Sequence, residues 1–140
     1  MKILFVCRGN VGRSQMAEAL FGKMTGDKYQ ISSAGTKLSG PEQKLKELPL
    51  AGNLIKCMEE EGIDVSNCIR NPVTQEMAES ADKIVLILGE EDFVPDYLIN
   101  NPKVLKWITP DPKGQDLDFH RMVRNVIKDR LEALIKTLSI

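Results

Sequence analysis

The sequence predicts an α/β fold of three layers, a four-stranded parallel sheet flanked by helices on both faces. Three observations carry this. Short apolar runs alternate with longer segments at helical spacing, the order expected of a parallel sheet with right-handed crossovers. Residues 84–88 of the run KIVLIL are continuously apolar and rich in β-branched side chains, as strands buried on both faces are. The chain also opens with a strand-like run that passes through a glycine-bearing loop directly into a helical pattern.

Taken in order, residues 2–6 are the first strand and residues 14–24 the first helix, with Met16, Leu20 and Phe21 on one face. Residues 29–34 form a second strand ending at Gly35. Residues 37–49 are polar, lysine-rich and irregular, with room for a short helix over 41–48 before the break at Pro49. A helix over 50–61 puts Leu50, Leu54, Cys57 and Met58 on one face, with Gly62 as its C-cap. Residues 73–80 make a short helix capped by Thr74 or begun near Pro72. The strand at 83–88 is followed by a helix over 90–99, acidic in its first turn and complicated by Pro95. Residues 104–108 are the fourth strand. Residues 117–138 are a long helix in which Phe119, Val123, Ile127, Leu131, Leu134 and Leu138 recur at helical spacing, and Arg121, Arg124, Lys128 and Arg130 form a solvated face.

The 140 residues suit one domain, 1–140, with its own core. A net charge of −1 gives no bulk attraction to nucleic acid or to a membrane surface. No run approaches the length of a spanning helix, and no signal peptide opens the chain, so the expected location is cytoplasmic. Cys7, Cys57 and Cys68 are odd in number and lack metal-site spacing, so neither a disulfide framework nor a metal is expected, and no cofactor is implied.

The chemistry concentrates in Cys7, Arg8, Gly9, Asn10, Val11, Gly12, Arg13 and Ser14. A loop running from a strand into a helix N-terminus offers unpaired backbone N–H groups and the positive end of the helix dipole, which together attract an anion. Gly9 and Gly12 supply conformational freedom for a close approach. Arg13 can grip a phosphate through two parallel hydrogen bonds. Cys7, at the mouth of this cradle, is placed to attack the bound anion as a thiolate, and Ser14 can donate to its sulfur while capping the helix. Arg8 is expected to be solvated, with a role in steering anions at most.

Cys7, Asn10, Arg13, Ser14 and the run Met16 to Ala19 resemble the signature of the low-molecular-weight protein tyrosine phosphatases and of the related thioredoxin-coupled arsenate reductases. Gly12 departs from it, since many members carry a second cysteine there. Ser33 to Thr36 and the run Gly62 to Ser66 resemble further parts of the family pattern. The resemblance implies a cysteine-dependent phosphatase acting on phosphate monoesters, protein phosphotyrosine foremost, through a phosphocysteine intermediate. The partner would be a phosphorylated protein or a small phosphate monoester, with inorganic phosphate or another oxyanion also entering the loop. It implies that Asn10 braces the loop, and that Asp111, which begins an Asp-Pro pair, is the general acid. Expulsion of an alkoxide or phenoxide needs such a proton donor. Taken alone, Pro110 to Gly114 is equally well a turn. Asn67 and Arg70 lie where members carry a histidine and a basic residue, which makes Asn67 a candidate support for Asn10. His120 is expected on the surface or in packing.

Two alternatives stand beside this reading. An arsenate reductase would use the same loop with an external thiol, because residues 89–102, where the resemblance places the relay cysteines, hold none. A non-catalytic phosphate-binding module would need neither nucleophile nor acid. The family's aromatic rim is also missing: Lys113 and Gly114 follow Asp111-Pro112, and residues 37–49 contain no aromatic. Val11 resembles the tyrosine-type members more than the phosphoarginine-type, which carry threonine there.

Overall fold

A computed structural model describes residues 1–38 and 42–138. Eight elements follow one another: β1 (Lys2–Cys7), α1 (Arg13–Thr25), β2 (Gln30–Gly35), α2 (Gly52–Glu59), α3 (Gln75–Ser80), β3 (Lys83–Leu88), β4 (Val104–Ile108) and α4 (Leu117–Leu138). The four strands are parallel in the order β2-β1-β3-β4, so β1 and β3 are central. Their registers pair Cys7 with Gly35 and Val6 with Leu86, which aligns the strand ends at one edge.

The unbroken apolar runs of β1 and β3 are explained by cover on both faces. Ile3, Phe5, Val85 and Ile87 point into a core shared with α1, α2 and α4. Leu4, Val6, Ile84 and Leu86 point into a second core with Ala78 of α3 and Leu98. Phe5 and Phe21 meet edge to face at 5.6 Å between centroids, joining β1 to α1. Thr74 caps α3, its hydroxyl accepting from the Met77 N–H at 3.2 Å. Gly62, at φ 76°, follows α2 in the left-handed region where glycine is favoured.

Four expectations are corrected. Residues 90–99 form no α-helix. Asp92 turns back to accept the Gly89 N–H at 2.7 Å, Pro95 has no N–H to give, and only a single 3₁₀ turn forms at Asp96–Leu98. The helix over 41–48 reduces to a 3₁₀ turn at Leu45–Glu47, while Ser39 to Pro41 lie outside the described residues. Helix α2 starts at Gly52, two residues late, because Pro49 holds Leu48 extended (ψ 126°); Leu50 is left outside the helix and exposed. In α4 the stripe is core as expected, but Arg124 is buried rather than solvated. Its Nη1 donates to the Cys57 carbonyl at 2.8 Å and to Glu60 at 2.7 Å, tying α4 to α2.

Candidate active site

The carboxyl end of β1 places Cys7 at the base of a cleft of roughly 230 Å³. Beyond it the chain turns sharply, and the residue that adopts the left-handed conformation is Asn10, at φ 53°. Gly9 and Gly12, expected to supply that freedom, both have ordinary φ. The need for glycine falls instead at Gly35, where a Cβ would lie 2.7 Å from the Arg8 carbonyl oxygen and 3.0 Å from the Asn10 nitrogen. Gly12 has a related duty, since a Cβ there would come within 3.1 Å of Pro112. The Thr36 and Lys37 N–H groups hold the Cys7 and Arg8 carbonyls at 2.9 and 2.8 Å. The loop N–H groups of Gly9, Val11 and Gly12 donate to no backbone carbonyl among the described residues. That is the electrostatic requirement for an oxyanion cradle.

A directed hydrogen-bond network stands behind the thiol. Asn10 Oδ1 accepts the Asn71 N–H at 2.8 Å and the Gln15 side-chain amide at 3.3 Å, which fixes the orientation of the Asn10 amide. Its Nδ2 then donates to Ser14 Oγ at 2.7 Å and to Ser33 Oγ at 3.0 Å. With Asn10 supplying that donor, the Ser14 hydroxyl is directed to donate toward Cys7 Sγ, 2.9 Å away. Ser33 donates in turn to Glu18 at 2.5 Å, a carboxyl that burial pushes up while the Ser33 bond pulls down. The Asn10 N–H also reaches Cys7 Sγ at 3.3 Å. Asn67 takes no part. It is exposed, and the support for Asn10 comes from the Asn71 backbone, carried in by pairing of residues 71–73 with Gly35.

Arg13 is 2% exposed, and three groups orient it. Its Nη1 donates to the Thr109 carbonyl at 3.0 Å and lies 3.5 Å from Asp92 Oδ2; its Nη2 lies 3.5 Å from Asp111 Oδ2. The segment after β4 thus returns Asp111 to the cleft. It is also a turn, since Asp111 Oδ1 accepts the Lys113 N–H at 2.9 Å. Arg8 is largely exposed as expected, with Nη1 4.0 Å from Asp92.

Sequence reasoning missed Asp92. The available signal was an acid just past the carboxyl end of a buried central strand, where ligands of such sheets bind. Of the two roles expected for His120, packing rather than surface is the one seen: it is buried, it also lines the cleft, and its Nδ1 meets the Asp116 carbonyl at 2.8 Å. The other thiols are set apart in chemistry. Cys57 is buried in α2, where burial pushes its thiol up to about 11, and Cys68 is exposed in a loop with its thiol also raised, chiefly by burial of the sulfur. No cluster among the described residues could hold a metal ion, and none of their helices is long and apolar enough to cross a membrane.

A thiol and a buried arginine at a strand–loop–helix junction, with a carboxylate returned from the last strand, meet in one cleft at the carboxyl edge of a parallel α/β sheet. The family model described as low molecular weight phosphotyrosine protein phosphatase matches residues 2–140, and the chain belongs to that family. It is 33% identical over 138 residues to a glutaredoxin arsenate reductase of Synechocystis sp., covering 99% of this chain and 98% of that protein. Among solved structures it is similar to an arsenate reductase in the phosphate binding state (32% identity, TM-score 0.80, 97% of each chain). It is also similar to the YwlE arginine phosphatase, as a mutant with a phosphorylated active site serine (26% identity, TM-score 0.82, 99% of this chain and 96% of that one).

Proposed function

We propose that the protein hydrolyses phosphate monoesters, protein phosphotyrosine among them, through a phosphocysteine intermediate on Cys7. The observation that carries the reading is the joint placement of Cys7 beside a loop of unpaired N–H groups with Asp111 against Arg13. The dianionic phosphate sits on the loop N–H groups and the Arg13 guanidinium. The Cys7 thiolate, held by the Ser14 hydroxyl and the Asn10 N–H, attacks phosphorus in line. As the P–O bond to the leaving group breaks, Asp111 gives that oxygen a proton. The resulting Asp111 carboxylate then takes a proton from water, which attacks the phosphocysteine and releases phosphate and the Cys7 thiolate. A phosphate-binding module needs none of this acid–base pairing. The 140 residues act as one domain in this reading, in the cytoplasm, where thiols stay reduced.

A second reading has specific support: the curated relatives matched at 32–34% identity are named arsenate reductases, and those names favour reduction over hydrolysis. Cys7 would attack arsenic and displace a hydroxyl as water. An external thiol would then attack Cys7 sulfur, releasing arsenite and leaving a mixed disulfide. The thiol is external in this reading, because Cys57 is buried in a helix, Cys68 does not line the cleft and residues 89–102 hold no cysteine. Turnover of p-nitrophenyl phosphate and of arsenate with glutathione or thioredoxin, measured side by side on one preparation, decides. Phosphate ester hydrolysis without arsenite formation is expected. Arsenite formation without ester hydrolysis would replace the first reading by the second.

A further inference from the structure

The charges lining the cleft exceed what a single phosphate requires. Arg13 already has two carboxylates at 3.5 Å, Asp92 and Asp111, and Arg8 leans toward the first of them. Three further cations, Lys37, Arg70 and Lys113, line the same cleft. Lys37 and Lys113 form no ion pair with any described residue. Both are anchored at the site through their backbones. The Lys37 N–H holds the Arg8 carbonyl on the loop side, and the Lys113 N–H holds Asp111 on the acid side. Arg70 is 5% exposed, so its guanidinium is part of the wall rather than a mobile surface charge. The rest of the wall includes aliphatic Val11, Leu50, Leu54 and Pro112 with the His120 imidazole, and no phenylalanine, tyrosine or tryptophan lines it.

Resting on the phosphate monoester reading, we propose that the cleft selects small phosphate monoesters that carry a second anionic group. Lys37 and Lys113, beside Arg70 in the wall, receive that group across a short apolar span. Each charge-assisted contact to it is stronger than a neutral hydrogen bond, and because Lys37 and Lys113 are exposed, salt screens it and the preference is largest at low ionic strength. A cationic leaving group would face the same three charges and be disfavoured. The lysines therefore replace the aromatic walls as the source of selectivity.

The test uses pairs of esters with matched leaving groups: meta-(carboxymethyl)phenyl phosphate, its neutral amide and the para isomer of the acid. The acid should exceed the amide in kcat/KM by about tenfold or more, the size of one charge-assisted contact. One isomer should be preferred, because fixed side chains distinguish positions whereas long-range steering responds only to charge. In Lys37→Gln/Lys113→Gln the acid-to-amide ratio should fall to within about twofold, read as a ratio so that general losses cancel. A wild-type ratio near one, a ratio unchanged in the double variant, or equal use of the isomers overturns the proposal. If no ester turns over, the phosphatase reading fails, and calorimetry of phosphonobutanoate against butylphosphonate takes its place. About tenfold tighter binding of phosphonobutanoate, lost in the double variant, would keep the second-anion site. Equal binding would remove it.

Discussion

Replacing Asn10 by alanine should damage stability and catalysis together, by an amount that can be worked through bond by bond. The side chain is fully buried and joins four neighbours. Ser14 and Ser33 keep Cys7 and Glu18 as partners, so losing their bonds to Asn10 costs about 0.5 kcal/mol each, the low end for a net hydrogen bond. The Asn71 N–H loses its acceptor in a half-buried setting, at about 2 kcal/mol. Gln15 keeps the Asn10 and Ile69 carbonyls and loses little. Holding alanine at φ 53° adds about 1 kcal/mol. The total is about 4 kcal/mol, or roughly 12 °C in Tm for a chain of this length. Asn10→Gly relieves only the backbone part and should recover about 1 kcal/mol. Asn10→Asp retains the acceptor for Asn71 and tolerates the conformation, so it should be the most stable of the three. It should still lose activity, because the donor that aims Ser14 at the thiol is gone and a carboxylate stands near it. Urea unfolding monitored by circular dichroism, with kcat/KM measured on the same preparations, checks each part. An alanine variant within about 1 kcal/mol of wild type, or a glycine variant no more stable than alanine, would refute the network described here.

Three further outcomes follow from the site and its surroundings. Asp111→Asn should lower kcat by about 10²- to 10⁴-fold on alkyl phosphates and by less on p-nitrophenyl phosphate, whose leaving group needs less help; an equal loss across leaving groups would remove Asp111 from the acid role. The Arg121 and Arg124 guanidiniums hold Glu60 at about 2, below its unfolded range, so the stability this pairing contributes is present above about pH 4.5 and is lost as pH falls toward 2. Glu60→Gln should flatten Tm against pH in that window, and a profile identical to wild type would contradict the pairing. Serine at both Cys57 and Cys68 should leave ester hydrolysis within a few-fold of wild type, and in the native protein Cys57 should resist alkylation at pH 8 until urea unfolds it.

Much of this arrangement was legible in the chain because local physics dictated it. The strand at 83–88 and the helix at 117–138 fall where an apolar run and a long helical stripe put them, and the strand at 104–108 where a short, mostly apolar run does. The loop from Cys7 to Ser14 was legible because a nucleophile, an arginine and a helix start were adjacent in sequence. What escaped depended on distant partners. Asp92 orients an arginine that precedes it by 79 residues, and its own bond to Gly89 breaks the helix that its acidic neighbours suggested. Asn10 takes the strained conformation assigned to the adjacent glycines because four side-chain bonds compensate for it, and Gly35 is needed where two loops cross. Arg124 and His120 are carried inward by the docking of α4 on α2 and by the cleft itself, and a helical repeat read alone cannot show either.

The claim that Cys7 forms a covalent phosphoryl intermediate is tested most directly by mixing p-nitrophenyl phosphate with Asp111→Asn, quenching within milliseconds and measuring intact and peptide masses. Loss of the general base slows breakdown of phosphocysteine, so the account predicts the added mass of one phosphoryl group, confined to the peptide carrying Cys7 and absent in Cys7→Ser/Asp111→Asn. Burst release of p-nitrophenol with no phosphoryl group on Cys7, or with the group on another residue, would contradict it.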